Sequence, residues 1–194
     1  MTRIVAVLVH PHMAQAAPPG VDPGRFLEAV AEDTYEMAAA LDLVTPVLAT
    51  SVPGLEDIVW PGTEVITIAE NEPLKTTLAR LDADQAAVIC ADAPDLPPLL
   101  VGKLFRELGR AEVTVCPAEN GGAVALACGL PAPEWAEPDL DAYDIVKELR
   151  AQAPGPRRVA TTPGWHRLRT PADLTRLDPG LEGWESTRAL IGAR

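Results

Sequence analysis

Residues 86–97 have the sequence AAVICADAPDLP, a continuous apolar run that ends in an abrupt polar turn. The run Ala86–Ala91 has the length and composition of a strand that is buried on both faces of a parallel sheet. Pro94 disfavours helical backbone at Ala93, so the chain should leave the strand at Asp92 and not continue directly into a helix. The stretch therefore predicts a central strand that delivers the Asp92 carboxylate to one edge of the sheet.

Apolar strands and amphipathic helices alternate on both sides of this stretch, which predicts an α/β fold: a three-layer α/β/α sandwich around a mixed, mostly parallel sheet. We expect a single domain over residues 1–194, with a core at about 1–177 and a C-terminal extension at about 178–194. The predicted strands are Ile4–Val9, Thr45–Ala49, Glu64–Ala69, Ala86–Ala91, Ala111–Cys116, Ala123–Cys128 and Arg157–Ala160. The predicted helices are Arg25–Leu41, Pro73–Leu81, Leu96–Gly109, Asp141–Gln152 and Pro171–Leu177.

The charge, hydropathy and cysteine content of the chain argue against several classes of protein. The formal net charge of −12 argues against nucleic acid as a partner, because proteins that bind its backbone present a basic surface. No stretch reaches the roughly 18 apolar residues of a membrane helix, and the N-terminus lacks a signal-peptide pattern. The three cysteines are odd in number and form no CxxC pair, which favours free buried thiols in a reducing compartment. We therefore expect a cytoplasmic protein without a membrane partner.

Ligands of parallel sheets bind beyond the carboxyl ends of the strands. In this chain that rule selects the loop after Val9, the stretch after Ala91, the turn after Cys116 and the loop after Ala160. The candidate ligand-binding residues in these segments are Arg25, Asp92, Asp95, Glu119, Asn120, Gly121, Gly122, Arg167 and Arg169.

Each candidate has more than one interpretation. Asp92 could hold a hard cation such as Mg²⁺ or lie in a solvated loop, and Asp95 could instead cap the following helix. The Asn120-Gly121 pair could form a ligand loop, or it could be the tight turn of a hairpin. Arg167 and Arg169 alternate, so on an extended segment they would share one face.

The histidines suggest a further alternative. His10, His12 and His166 fall in loops at the same predicted edge, where together with Asp92 they could form a transition-metal site. The alternative is that they are loop histidines, one of them paired with an acid.

Three motifs resemble a known family. The order D-A-P-D-L-P at 92–97, P-A-E-N-G-G at 117–122 and G-W-H-R-L-R-T-P-A-D-L at 164–174 resembles the bacterial glycosyltransferase-A-like proteins of unknown function. Those proteins are related to 2-phospho-lactate guanylyltransferase and molybdenum-cofactor guanylyltransferase. The resemblance runs from about residue 4 to 177 and implies the nucleotide-diphospho-sugar transferase fold, a nucleotide-linked donor, and Mg²⁺ or Mn²⁺ as cofactor.

The chain departs from the family pattern where the phosphates and the metal would bind. The family loop P-x-P-G-x-x-K-T-R-L supplies basic residues, whereas here Arg25 is the only one. The family motif P-A-E-D-G-G has Asn120 in place of its acid, and the family motif D-V-D-T-P has Arg167 and Arg169 in place of its two acids. Arginines repel a divalent cation but bind phosphates or carboxylates directly.

These departures lead to two function hypotheses. The first is a protein with a degenerate site that binds a nucleotide or another phosphorylated small molecule without ordinary transferase chemistry. The second is an active nucleotidyl- or glycosyltransferase in which Asp92 holds Mg²⁺ and Arg25 or Arg167 contacts the phosphates. The apolar residues of the C-terminal extension could pack on the domain or on a second copy of the chain, which leaves a homo-oligomer open.

Overall fold

Seven strands form one sheet in the computed structural model, which describes residues 1–192. The strands are β1 Arg3–Val9, β2 Thr45–Thr50, β3 Glu64–Thr67, β4 Gln85–Cys90, β5 Val113–Pro117, β6 Ala123–Gly129 and β7 Val159–Thr161. The helices are α1 Pro23–Ala39, α2 Leu74–Leu78, α3 Pro98–Glu107, α4 Ile145–Gln152 and α5 Glu185–Gly192. The strands are arranged in the order β3-β2-β1-β4-β6-β5-β7, so β4 is central as the sequence predicts.

The sheet is mixed and mostly parallel. Only β6 runs against its neighbours, β4 and β5, and the remaining neighbouring pairs are parallel. Consequently β1, β4, β5 and β7 all end at the same edge of the sheet, which we call the ligand edge. The predicted fold class is confirmed.

Both faces of the central strands are covered. In β4 every residue from Ala86 to Cys90 is fully buried, and β1 is buried from Ile4 to Val9. Helix α1 packs on β1 and β2, α3 packs on β4, β5 and β6, and α4 packs on β5 and β7. Continuous burial explains why these strands have uninterrupted apolar sequences and no alternating pattern.

Some predicted boundaries differ from the structure. Helix α3 begins at Pro98 and not at Leu96, because Pro97 and Pro98 in succession keep the preceding backbone extended. Asp95 is therefore not the cap of this helix. The segment Pro171–Arg176 is a 3₁₀ helix, and Asp173 accepts hydrogen bonds from the Thr170 N–H and hydroxyl at its start.

The cysteines are free and buried, as expected. Cys90 and Cys128 lie within the sheet, where burial raises the pKa of both thiols to about 12. Such thiols remain protonated at neutral pH and are poor nucleophiles.

Helix α5, which falls in the predicted C-terminal extension, packs against α1. Asp33 of α1 is buried, and its two carboxylate oxygens accept the backbone N–H groups of Ser186 and Thr187 at 2.9 and 2.7 Å. These N–H groups belong to the first turn of α5, which has no partners for them within the helix. Asp33 therefore joins the last helix to the first. Within residues 1–192, no helix is long and apolar enough to cross a membrane.

We expect Asp33→Ala to lower the free energy of unfolding by about 1–2 kcal/mol, because it leaves two N–H groups of α5, one buried and one partly buried, without an acceptor. Urea unfolding followed by circular dichroism measures the change. The matched control is Glu32→Ala, one residue away on the same helix and partly exposed, for which we expect no more than about 0.5 kcal/mol. Equal losses in the two variants would show that Asp33 does not hold α5.

Candidate ligand site

Asp92 lies at the ligand edge, two residues beyond the end of β4, and is 2% exposed. A backbone hydrogen bond of 2.7 Å from the Leu168 N–H to the Asp92 carbonyl oxygen fixes the backbone at Asp92. The loop after β7 is thereby drawn across the end of β4. This contact brings together residues that are 76 positions apart in the sequence.

Arg167 lies against Asp92 and is 1% exposed. Its Nε donates to both carboxylate oxygens of Asp92, at 2.8 and 3.1 Å. Its Nη1 donates to Asp141 Oδ1 at 2.7 Å and to two backbone carbonyl oxygens. The buried positive charge is thus balanced by two carboxylates, as a buried ion requires.

Arg169 approaches the same carboxylate from the more exposed side. Its Nη2 lies 3.3 Å from Asp141 Oδ1, and its side chain is 31% exposed. His12 Nε2 lies 3.5 Å from Asp141 Oδ2. Burial opposes the ionisation of Asp141, but the neighbouring Arg167, His12 and Arg169 together outweigh it and hold the pKa of Asp141 below its ordinary value.

Asp141 is a site residue that the sequence patterns do not single out. They predict a helix over residues 141–152, but α4 begins only at Ile145, and Asp141 lies in the segment between β6 and α4. Because β6 runs in the opposite direction to its neighbours, the rule that selects segments at the carboxyl ends of parallel strands does not select the segment after β6.

Asp95 lies apart from this network. Its carboxylate is 2% exposed and accepts the Trp165 Nε1–H and the Asp178 backbone N–H, both at 3.1 Å. His166 Nε2 is 2.9 Å from Asp95 Oδ1, at an angle that does not make a hydrogen bond. These contacts make Asp95 an anchor for the loop after β7 and for the C-terminal extension.

The three histidines do not converge on Asp92. His10 Nδ1 contacts the Ser51 hydroxyl at 2.9 Å, and burial together with the neighbouring His12 lowers the pKa of His10. The His10 and His12 rings are stacked with centroids 5.6 Å apart, whereas His166 lies beside Asp95. Residues 1–192 contain no group of three or more His, Cys, Asp or Glu side chains arranged to hold a metal ion.

The residues present do not fit the Mg²⁺ or Mn²⁺ that the family resemblance implies. A cation coordinated by an Asp92 carboxylate oxygen would lie within about 5 Å of Arg167 Nε, which already donates to both carboxylate oxygens. Asp141, the other carboxylate within reach, also contacts Arg167. Like charges at this distance repel strongly in a buried environment.

The turn between β5 and β6 is a hairpin turn that also borders the site. The Gly121 N–H donates to the Ala118 carbonyl oxygen, and both glycines have positive φ, 92° for Gly121 and 77° for Gly122. Asn120 Nδ2 donates to the Arg167 carbonyl oxygen at 3.3 Å. The Glu119 carboxylate is more exposed and accepts from Arg176 Nη1 at 3.1 Å.

A cleft of about 450 Å³ opens beside this turn. Its wall includes the two glycines, the exposed Tyr143 ring and two cations of α4, Lys147 and Arg150. Its volume lies within the range of small-molecule sites.

Arg25, by contrast, is not brought to Asp92. It lies in the first turn of α1, where its N–H is capped by Asp22 Oδ1 at 2.9 Å, and it lines a groove between α1 and α5. The structure thus brings together Asp92, Asn120, Gly121, Gly122, Arg167 and Arg169, with His12 and Asp141 beside them.

Comparisons with known proteins agree on the fold. No protein-family model matches the sequence, and no curated protein matches it. Among solved structures, a proposed nucleotide-diphospho-sugar transferase from Desulfovibrio desulfuricans G20 superposes with a TM-score of 0.72 at 18% identity, over 100% of this chain and 98% of that one.

Two enzymes superpose nearly as well. CMP:2-keto-3-deoxy-manno-octonic acid synthetase in complex with CTP gives a TM-score of 0.62 at 15% identity, over 100% of this chain and 99% of that one. Glucosyl-3-phosphoglycerate synthase from Mycobacterium tuberculosis, in complex with Mn²⁺, UDP and glucosyl-3-phosphoglycerate, gives 0.60 at 14% identity, over 99% of this chain and 79% of that one. At these identities the comparisons establish the fold, which is that of nucleotide-diphospho-sugar transferases.

We expect Arg167→Met to lower the free energy of unfolding by about 3–5 kcal/mol, because it leaves Asp92 as a buried charge without its partner. The double variant Asp92→Asn/Arg167→Met should recover part of this loss, with a coupling of about 1 kcal/mol or more. Urea unfolding of the single and double variants gives the cycle. The control is Arg158→Met, which breaks an exposed pair with Glu112 and should change stability by no more than about 1 kcal/mol. If Arg167→Met lost no more than the control, the buried pair would not be an energetic constraint.

We expect Gly122→Ala to destabilise the protein by about 2 kcal/mol or more, since it combines a strained positive φ with a steric clash. A Cβ at Gly122 would lie 2.5 Å from the Leu140 carbonyl oxygen and 2.7 Å from Arg169 Nη2. Gly54→Ala is the matched control, with φ of 81° and nothing within 4 Å of its Cβ. Thermal unfolding of both variants separates the clash from the strain, and equal losses would refute a tight contact at Gly122.

Proposed function

We propose that this chain binds a nucleotide or another phosphorylated small molecule at the ligand edge without a divalent metal, and that it does not perform metal-assisted transfer there. The observation that carries the proposal is the Arg167–Asp92 pair: the carboxylate best placed to hold a cation is already bound on both oxygens by an arginine. The fold supports the ligand class, and the finer kinship with guanylyltransferases rests on the three motifs.

The charges at this edge are balanced and leave a partly exposed arginine available to an anion. Arg167 neutralises one of the two carboxylates that it contacts, Asp92 and Asp141, and Arg169 supplies a second positive charge. Together these four side chains carry no net charge. A phosphate next to the exposed side of Arg169 can therefore accept hydrogen bonds from the guanidinium and is not repelled by an excess of negative charge.

Two buried polar atoms support a ligand at this position. Within residues 1–192, Arg169 Nε and Asn120 Oδ1 are buried and have no hydrogen-bond partner. Buried donors and acceptors are normally paired, so each is a candidate for a ligand contact. A phosphate oxygen would satisfy the Arg169 donor, and a hydroxyl or amino group of a nucleoside or sugar would satisfy the Asn120 acceptor.

The space and the neighbouring side chains fit the same ligand class. His12 lies on the opposite side of Asp141 from the arginines and is 42% exposed. The cleft beside Gly121 and Gly122 is large enough for a sugar or a base. We therefore assign phosphate contact to Arg169 and contact with the remainder of the ligand to Asn120 and to the glycine turn, which lines the cleft.

Calorimetric titration with GTP, CTP and UDP, in EDTA and then in Mg²⁺, tests the proposal. We expect at least one nucleotide to bind in EDTA with a dissociation constant that Mg²⁺ changes by less than about threefold. Arg169→Gln should weaken this binding about 10- to 100-fold, because it removes a charge-assisted hydrogen bond worth about 1.5–3 kcal/mol.

The control is Arg158→Gln, which removes a partly exposed arginine at the opposite edge of the sheet, before β7, and should leave affinity unchanged. Two results would contradict the proposal. One is binding that strictly requires Mg²⁺, and the other is Mg²⁺-dependent release of product from a labelled nucleotide, which would favour the active transferase. Absence of binding by all three nucleotides and by glucose 1-phosphate would refute the ligand class.

A further inference from the structure

Five oxygen atoms contact two of the nitrogen atoms of the Arg167 guanidinium, Nε and Nη1. Its Nε lies 2.8 and 3.1 Å from the two carboxylate oxygens of Asp92. Its Nη1 lies 2.7 Å from Asp141 Oδ1, 3.2 Å from the Ala123 carbonyl oxygen and 3.3 Å from the Leu140 carbonyl oxygen. We call these five oxygen atoms the oxygen cage.

The two carbonyl oxygens of the oxygen cage are held in position by contacts other than those with Arg167. The Leu140 carbonyl oxygen also accepts the Ala123 backbone N–H at 2.8 Å, and the Ala123 carbonyl oxygen also contacts the Cys90 Sγ. Ala123 itself is the first residue of β6, and Asp92 lies just beyond β4. The sheet and the segment before α4 therefore supply the backbone positions of the cage. Arg167 enters from a separate loop and binds the three carboxylate oxygens.

The chemistry of the cage is that of a site for a hard cation. Carboxylate and carbonyl oxygens are the ligands that Ca²⁺, Mg²⁺ and Mn²⁺ take in proteins. The cage carries two formal negative charges and contains no donor group. In the native protein its centre is occupied by a guanidinium, a singly charged cation attached to the chain.

We propose that Arg167 is a tethered cation occupying a preformed cation site, so that the positive charge of this edge is built into the chain and cannot dissociate. The proposal has two consequences. The native protein does not take up a divalent ion at the cage. A variant in which the side chain is cut back to Cβ exposes the five oxygen atoms and gains a site for a divalent cation.

Titration of Arg167→Ala with MnCl₂, followed by the electron paramagnetic resonance signal of free Mn²⁺, tests this gain. We expect one Mn²⁺ bound per chain beyond the number that the wild-type protein binds. The same concentration of Mn²⁺ should raise the melting temperature of Arg167→Ala and leave that of the wild type unchanged. In Asp92→Asn/Arg167→Ala the added site should weaken at least tenfold, since a charged ligand is removed.

Arg167→Met is the matched control, because its side chain fills the space with apolar atoms and carries no charge. It should bind no additional Mn²⁺. The proposal is overturned if Arg167→Ala binds no more Mn²⁺ than the wild type, or if Arg167→Met binds as much as Arg167→Ala. The proposal is equally overturned if Arg167→Ala stays unfolded in millimolar Mn²⁺ while Arg167→Met folds. That result would show that the cage needs a side chain to fill its space and does not need a cation.

The test uses no nucleotide, so its outcome is independent of ligand binding. Nucleotide binding in EDTA with no Mn²⁺ gain would support the proposed function and refute the tethered cation. Additional Mn²⁺ binding by Arg167→Ala without nucleotide binding by the native protein would support the tethered cation and refute the proposed function.

Discussion

The ion pair between Arg167 and Asp92 is the constraint on which the ligand edge depends. Both side chains are almost fully buried, and neither charge is tolerable there without the other. The loop after β7, the end of β4 and the segment before α4 must therefore be in place together. The backbone hydrogen bond from Leu168 to Asp92 fixes the same alignment. The hydrogen bond and the ion pair therefore favour the same conformation of the loop after β7.

A guanidinium gives this edge properties that a divalent ion would not. It carries one charge where a metal carries two, its donors lie in a plane with fixed directions, and it does not exchange with solvent. Because the guanidinium is attached to the chain, it cannot enter or leave the site together with a diphosphate, as a metal ion can. A ligand at this edge would instead meet a rigid array in which Arg169 is the accessible cation and Arg167 balances the carboxylates behind it.

The sequence predicts the fold and part of the site for identifiable physical reasons. The run 86–91 has no polar interruption, because β4 is covered on both faces, and this places Asp92 correctly at the sheet edge. The alternation of Arg167 and Arg169 predicts a shared face, and both guanidinium groups reach the Asp141 carboxylate. A hairpin turn is one of the two interpretations of the Asn-Gly pair, and the turn between β5 and β6 is one.

Other features could not be predicted from local patterns. Asp141 lies beyond the one strand that runs in the opposite direction, and nothing in its neighbourhood indicates that it reaches an arginine 26 residues later. The roles of Asp95 and Asp33 depend on contacts with residues 83 and 154 positions away in the chain. Arg25 resembles a phosphate ligand in sequence, but the helix on which it lies faces α5.

The contact between Asp33 and α5 has a consequence for synthesis on the ribosome. Thr187 is added to the chain 154 residues after Asp33, so α1 emerges with a carboxylate that has no helix to cap. Arg167 is likewise added 75 residues after Asp92. All seven strands precede both of these partners in the chain, so the two carboxylates stay hydrated until the strands of the sheet have been made.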